Sequence, residues 1–510
     1  MQKYIIGIDS GTTGIKAVVF DLKGHEVAKQ SYPLKAIYPN ESQYEEDMHE
    51  IWEKAKLCIK TVSGNFPRES IIGLGITAQG DGLWMIDKNG EPVRNGVCFC
   101  DGRSSEFVDQ WVDDGTCDKL FDLTGTRIFT GNQNGIVRWM EKYELENLDN
   151  AKYILHLKDY LFYKLTGEIT TDASDQSLVL LDQHKRTYLD EAFSVTGISK
   201  YRDKYAPILS AKDNAFKIRS ELADELGVSC DLIVTSGPMD VVACALGSGV
   251  VERGCCCSII GTAALHEMVL DEPLQDHIKA GMTVTHSMDN RWLRLMASLA
   301  GTPNLEWVLD TFGEKIRINA MSEGISVYKY MEDMIRNVPI GANGVMYHPY
   351  LLAGGERAPF TDSRARGSYT GLSVRNTLAD IVRATYEGVA YAMLDCYKNM
   401  PLEVKEITLC GGGAFSEFWS QMFADTLGSK IITVKGQELG ALGAAINNAV
   451  VQDIYSDYLS AVNEIIEVDR IYEPNVENHK QYLKFYELYS AIRIQMKSTW
   501  KLRAQILKSR

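Results

Sequence analysis

Residues 5–21, IIGIDSGTTGIKAVVFD, decide the fold. The run YIIGI (4–8) is nearly all apolar and predicts a strand buried on both faces; KAVVF (16–20) predicts a second. The turn Asp9–Ser10–Gly11–Thr12–Thr13–Gly14 joins them, and a further turn at Gly24 follows. Strands this close along the chain pair antiparallel, so the chain opens as a meander. The turn itself reads two ways. Backbone N–H groups among glycines and hydroxyls converge well on phosphate oxygens, while a preceding Asp holds a hydrated magnesium ion. The same residues equally make a hairpin turn with Asx and hydroxyl caps. It is not a Walker A loop, because GxxxxGK[ST] is absent and no helix follows.

Working outward, Ile51, Lys54, Ala55 and Cys58 recur at helical spacing and predict a helix over 47–62. The apolar run IIGLGIT (71–77) is a strand that stops at Ala78–Gln79–Gly80–Asp81–Gly82. Strands then alternate with helices to about residue 230, the pattern of an α/β fold. The strand DLIVTSG (231–237) ends at Gly237–Pro238–Met239–Asp240, where the helical run VVACALG starts. Ligands gather at such strand ends. Asp240 there either accepts a proton from a substrate hydroxyl or caps the helix.

From residue 254 the opening pattern partly recurs, as CCCSII leads into Gly261–Thr262–Ala263. That echo predicts two similar domains, 1–250 and 251–510, with the boundary near 245–255. Further on, EITLCGGGA (406–414) is a strand entering the turn Gly411–Gly412–Gly413, and ELGALGAAINNAV (438–450) is a small-residue helix. Small residues admit close approach of a ligand or of another helix. The end, WKLRAQILKSR, reads as a solvated basic helix.

The 510 residues exceed what one core organises, which again gives two domains. A formal net charge of −15 argues against a nucleic-acid partner. The 11 cysteines are odd in number, three of them consecutive (Cys255–Cys257), and show no zinc spacing; none of the nine histidines falls in HExxH. Reduced thiols in a cytoplasmic protein are the expectation. No run of 18 apolar residues predicts a membrane span, and MQKYIIGIDSG is too short in its apolar run for a signal peptide.

The ordered set of these segments resembles the FGGY carbohydrate kinase family, within the actin–hexokinase–Hsp70 superfamily, over roughly residues 4–450. The matching stretches are IIGIDSGTTGIKAVVFD (5–21), GLGITAQGDGLWMID (73–87), DGRS (101–104), KDYLFYKLTG (158–167), TDASD (171–175), SGPMD (236–240), IIGTA (259–263), PYLLAGGERAP (349–359), GGGAFSEFW (411–419) and ELGALGAA (438–445). The most specific is GSYTGL (367–372), followed after seven residues by DIVRATYE (380–387). Two departures stand out. GNQNGIVRWMEK (131–142) keeps Trp139 but has Gln133 and Ile136 where the family's signature differs, so it lends no support. Gly80–Asp81 replaces the Met–His usual in xylulose kinases and the Arg–Glu of glycerol kinases, and AQGDG looks most like the L-xylulose and erythritol kinase branches.

The resemblance implies two facing ribonuclease H-like α/β domains with a catalytic cleft between them, the first binding sugar and phosphate and the second binding nucleotide. It implies ATP and Mg²⁺, with Asp240 as catalytic base and Asp9 with Asp240 on the metal side. Gly11, Thr12, Thr13 and Lys16 match the first phosphate turn, Gly261 and Thr262 the second, and Gly412, Gly413 and Ser416 the adenosine segment. Gly80, Asp81 and Asp240 match substrate contacts, with Asp101 and Arg103 as further candidates. The activity implied is phosphorylation of a small acyclic sugar or polyol. A ketopentose such as xylulose or L-xylulose leads, with an erythritol or glycerol-type acceptor as the alternative. A non-catalytic ATP switch or a silent sugar-binding regulator is the other class. The substrate-side turn argues against the switch, and retention of Asp9 and Asp240 against the regulator. Dimers are common in the family, so a homodimer is compatible.

Overall fold

The computed structural model describes residues 1–273, 278–352 and 354–508. Ala353 of PYLLAGGERAP and the last two residues of the C-terminal stretch lie outside the described residues. The chain forms two compact units. The first comprises 1–253, 269–294 and 436–467; the second comprises 254–268, 295–435 and 468–510. The small-residue helix Leu439–Val451 therefore belongs with the N-terminal segment.

The first unit holds a six-stranded sheet of β1 (Tyr4–Gly11), β2 (Gly14–Asp21), β3 (Glu26–Pro33), β4 (Ile71–Ala78), β5 (Ala215–Lys217) and β6 (Ile233–Ser236), in the order β5-β6-β4-β1-β2-β3. The meander β1–β2–β3 is antiparallel, as its short turns require, and β4 and β6 join in parallel. The opening turn is tighter than its composition suggests. Pairing continues to Gly11 opposite Gly14, which leaves only Thr12 and Thr13 in the turn and puts Asp9 inside β1, opposite Lys16. Ile6, Ile8, Leu74 and Ile76 pack with Ile51, Ala55, Cys58 and Ile59 of the helix Met48–Ser63, whose N-terminus Asp47 caps.

Helix Leu439–Val451 lies so close to this sheet that side chains are excluded. A Cβ on Gly7 would sit 2.1 Å from the Ala441 carbonyl oxygen, and one on Gly443 would sit 1.9 Å from that of Ala243. The small residues of ELGALGAA are thus explained by backbone packing.

The second unit repeats the plan. Its strands β7 (Cys255–Ile260), β8 (Ala264–Leu270), β9 (Glu406–Cys410), β10 (Lys430–Val434) and β11 (Val468–Tyr472) lie in the order β11-β10-β9-β7-β8. β7 is antiparallel to β8 and parallel to β9, as β1 is to β2 and β4; β11 is antiparallel to β10, as β5 is to β6. The sequence echo is a duplicated topology.

The C-terminal expectation needs correction. The helix Val476–Lys508 is not merely solvated, because Trp500 is 3% exposed. Its ring stacks on Phe360 at 6.1 Å, meets Tyr350 edge-on, and its indole N–H donates to the Arg366 carbonyl. A Trp with both an aromatic pocket and a hydrogen-bond partner outweighs the polar residues around it. None of the eleven cysteines is joined in a disulfide. Among the described residues no helix is long and apolar enough to cross a membrane.

Candidate active site

Parallel pairing aligns the carboxyl ends of β1, β4 and β6, since Asp9 is level with Thr77 and Ser236 with Ile76. Three segments far apart in sequence therefore converge there: Asp9–Ser10, Gln79–Gly80–Asp81 and Gly237–Asp240. Loops at the carboxyl ends of parallel strands are where an α/β sheet presents ligand-binding groups.

Asp9 faces Lys16 across the hairpin at 3.4 Å, and Lys16 is held on its other side by Glu438 at 2.8 Å. Gly440, in the first turn of helix Leu439–Val451, lies against Asp9; a Cβ there would be 2.9 Å from its carboxylate. Burial raises the Asp9 pKa, and Lys16 opposes that rise. Asp240 opens the helix Asp240–Gly247, where its carboxylate accepts the Val241 N–H at 2.8 Å and a further N–H from Gly80. Burial first, and the neighbouring Asp9 carboxylate second, push Asp240 up to about 7. A carboxylate poised near neutrality is suited to accept a proton from a hydroxyl.

Asp81 is buried and left-handed, with φ 58°. Asn132 donates to it at 2.6 Å, and Asn132 in turn accepts the Phe129 N–H. Arg103 and Asp101 form a doubly hydrogen-bonded pair at 2.8 and 3.0 Å, with Glu45 also on Arg103 at 2.8 Å and the Tyr44 N–H on Asp101. Only Nη1 of Arg103 has no partner among the described residues. Trp139 lies 4.8 Å from the Arg103 guanidinium. Thr12 and Thr13 sit at the hairpin tip beside Gly11, with the Tyr44 hydroxyl on the Thr12 carbonyl.

In the second unit, Gly261–Thr262 and Gly411–Gly413 follow the paired ends of β7 and β9 and so lie side by side. A Cβ on Gly411 would be 2.8 Å from the Ile260 carbonyl oxygen, whereas the Cβ position of Gly412 is open. Ser416 caps the helix Glu417–Leu427 through the Trp419 N–H and donates to Glu332 at 2.6 Å, so its hydroxyl is already engaged. The contribution left to it is to fix the turn that follows the glycines.

Sequence profiles decide the assignment. The N-terminal domain of the FGGY family of carbohydrate kinases matches residues 4–247, and the C-terminal domain of that family matches 256–451. The chain belongs to the FGGY family of carbohydrate kinases. It is an ATP-dependent sugar or polyol kinase. This kinase is 30% identical to a xylulose kinase of Staphylococcus epidermidis over 99% of both chains. It is 26% identical to an erythritol kinase of Brucella abortus over 97% of both. Its fold matches the solved structure of a ligand-bound xylulose kinase from Lactobacillus acidophilus with a TM-score of 0.90 at 23% identity, covering 98% and 99% of the two chains. The two-domain α/β architecture is consistent with actin–hexokinase-like domains.

The kinase also holds groups to which sequence reasoning gave no role. Asn132 lies in the segment that lent the family resemblance no support, yet it holds Asp81. Glu46 is buried against Gln79 at 2.9 Å, and burial pushes it up to about 7. Lys158 and Asp175 lie within quoted motifs, but the cluster joins three stretches of the chain, 158–159, 172–175 and 236, which no local pattern reveals.

Proposed function

We propose that the kinase transfers the γ-phosphoryl group of ATP to a hydroxyl of a ketopentose such as D-xylulose or L-xylulose, with Asp240 taking the hydroxyl proton. The observation that carries this is the half-buried Asp240 carboxylate, pushed up to about 7, with the Gly80 N–H acting on it. Phosphoryl transfer asks little covalent chemistry of the protein; it needs positioning, charge neutralisation and a base. Asp81 and Arg103 Nη1 are the acceptor-side groups, and Gly80 leaves room beside them. Gly11, Thr12, Thr13 and Lys16 belong to the first phosphate turn, Gly261 and Thr262 to the second, and Gly412, Gly413 and Ser416 to the adenosine side.

Asp9 and Asp240 offer two half-buried oxygen-donor carboxylates that repel one another, a donor set that fits Mg²⁺. The ion, when bound, neutralises charge on the phosphates. Residence in the cytoplasm, where ATP is supplied, and a homodimer complete the reading.

A second acceptor is favoured by a specific feature. AQGDG looks most like the L-xylulose and erythritol kinase branches, and a relative named erythritol kinase aligns over almost the whole chain. A coupled assay of ADP release with D-xylulose, L-xylulose, erythritol and glycerol separates the acceptors. Turnover of a ketopentose at least tenfold above the others supports the reading. Preference for erythritol moves the kinase to the polyol branch, and ADP release independent of any acceptor overturns the reading.

A further inference from the structure

Behind the acceptor side lies a buried cluster around Lys158, whose side chain is 1% exposed. Its ammonium is 2.8 Å from Asp159, 2.9 Å from Asp172, 3.0 Å from Asp175 and 3.2 Å from the Ser236 hydroxyl. His156 stands 3.6 Å from Asp159. His156, Asp159 and Asp175 are spaced as metal ligands would be, but the Lys158 ammonium already lies among the carboxylates and supplies the positive charge.

Within that cluster Asp175 is the exception. Asp159 accepts hydrogen bonds from Lys158 and the His156 backbone, and Asp172 accepts from Ser174. Asp175 is 1% exposed, and neither of its oxygens accepts a hydrogen bond from the described residues. Buried carboxylates are ordinarily satisfied, so an orphan one calls for a partner. The ion pair with Lys158 engages Oδ2. Oδ1 faces Gly80 instead, where a Cβ would lie 3.5 Å from it, with Met239 Cε at 3.0 Å and Leu178 Cδ1 at 3.4 Å as the other neighbours. Gly80 is not among the residues with positive φ, so its backbone has no need of glycine. What glycine does there is keep a side chain out from in front of Asp175. The Gly80 N–H and the Asp175 charge both act on Asp240.

We propose that Asp175 is a substrate-contacting, specificity-determining residue, whose Oδ1 accepts a hydrogen bond from a second hydroxyl of the acceptor across the bare backbone of Gly80. This rests on the reading that the acceptor's reacting hydroxyl lies at Asp240. Lys158, tied to Ser236 on the strand that leads to Asp240, positions Asp175; burial raises the Asp175 pKa, and His156 and Lys158 oppose that rise. A side chain at residue 80 would compete with the acceptor for the same carboxylate, so the pair Gly80–Asp175 selects an acceptor with a hydroxyl beside the reacting one.

The test uses the full-length kinase with D-xylulose, L-xylulose, erythritol and glycerol, and monodeoxy analogues of whichever acceptor is turned over. Asp175→Asn keeps the volume and removes the charge. It is expected to raise the acceptor KM by roughly 10-fold or more, the loss of a hydrogen bond to a charged group, while the ATP KM stays within about two-fold. Discrimination against one monodeoxy analogue should collapse, because that analogue no longer leaves a buried carboxylate unpaired. Gly80→Ser should raise the acceptor KM in the wild-type background and do so less in the Asp175→Asn background. If Asp175→Asn fails to fold on melting analysis, Gly80→Ser read against the analogue series carries the test. Unchanged acceptor KM and unchanged analogue discrimination in an active variant overturn the Asp175 proposal alone. A fall in kcat common to all acceptors and analogues shows a structural role and overturns it too. Wild-type enzyme that neither turns over nor calorimetrically binds any of the four acceptors overturns the functional reading, and this proposal with it.

Discussion

Lys16 stands across the β1–β2 hairpin from Asp9 and shares its ammonium between that carboxylate, at 3.4 Å, and Glu438, at 2.8 Å. Burial works against the lysine's charge, but Asp9 and Glu438 outweigh it and raise its pKa. Glu438 directly precedes the helix whose Gly440 lies against Asp9, so one ammonium ties the β1–β2 hairpin to that helix. Replacing Lys16 with Met should raise the KM for ATP·Mg²⁺ by roughly 10-fold or more, the scale of a lost charge-assisted hydrogen bond. Steady-state kinetics with each substrate varied will check this. An effect confined to the acceptor KM would place Lys16 elsewhere in the reaction.

Asp240 gives a pH dependence with a definite sign. In the proposed role its deprotonated form is the base, so kcat/KM should rise with pH through about 7. Asp240→Asn should lower kcat by about 10²- to 10⁴-fold. Its effect on stability has the opposite sense. The folded carboxyl binds its proton more tightly than an ordinary aspartate, whose pKa is 3.8, so it favours the folded state at low pH, and that contribution is lost as pH rises to about 7. Without ligands, Asp240→Asn should melt higher than wild type at pH 8, with the gain vanishing toward pH 4. A variant less stable at pH 8 would contradict the buried, proton-holding carboxyl.

Asp81 and Asn132 should act as one unit in acceptor recognition. Asn tolerates the left-handed backbone at residue 81, so Asp81→Asn isolates the charge. It is expected to raise the acceptor KM about 10- to 150-fold and to leave the ATP KM nearly unchanged. Asn132→Ala frees the Asp81 carboxylate from its 2.6 Å partner and should give a smaller effect of the same kind. The double variant should fall short of the sum, as expected for groups in direct contact. Full additivity would argue that Asn132 supports only its own helix.

Gly443→Ala should be disruptive although alanine favours helices. Its Cβ would lie 1.9 Å from the Ala243 carbonyl oxygen, so the helix Asp240–Gly247 would have to shift with Asp240 at its start. Overpacking of this kind costs about 1–3 kcal/mol, sometimes more. The melting temperature and kcat should fall together. A stable but inactive variant would locate the effect in chemistry, not packing.

The backbone plan was legible because its signals are local. Strand–turn–strand runs such as YIIGI and CCCSII carry their own periodicity and glycine punctuation. Asp9 and Asp240 were legible because each ends or follows an apolar strand. The partners of Lys158, the hold of Asn132 on Asp81 and the docking of Trp500 were not. Each depends on segments brought together only by the finished fold. The extent of the opening turn was misread for a different reason. Asp9 and Ser10 are poor strand formers in isolation, and ladder pairing with Lys16 and Ile15 overrides that preference. ELGALGAA was open to two readings, and the backbone approach at Gly7 and Gly443 gives the packing explanation.

The membership of helix Leu439–Val451 in the first unit bears on the order of events during synthesis. When the ribosome has made residue 253, β1, β4 and β6 are present, but the helix that covers Gly7 and Gly75 is still almost two hundred residues away. Until it arrives, that sheet face lacks its cover, and the β1–β2 hairpin lacks the Glu438 that holds Lys16. A fragment ending at residue 253 is therefore an unfinished object and not a free-standing acceptor-binding domain. The kinase gains its active geometry only once the nascent chain has doubled back on its own beginning.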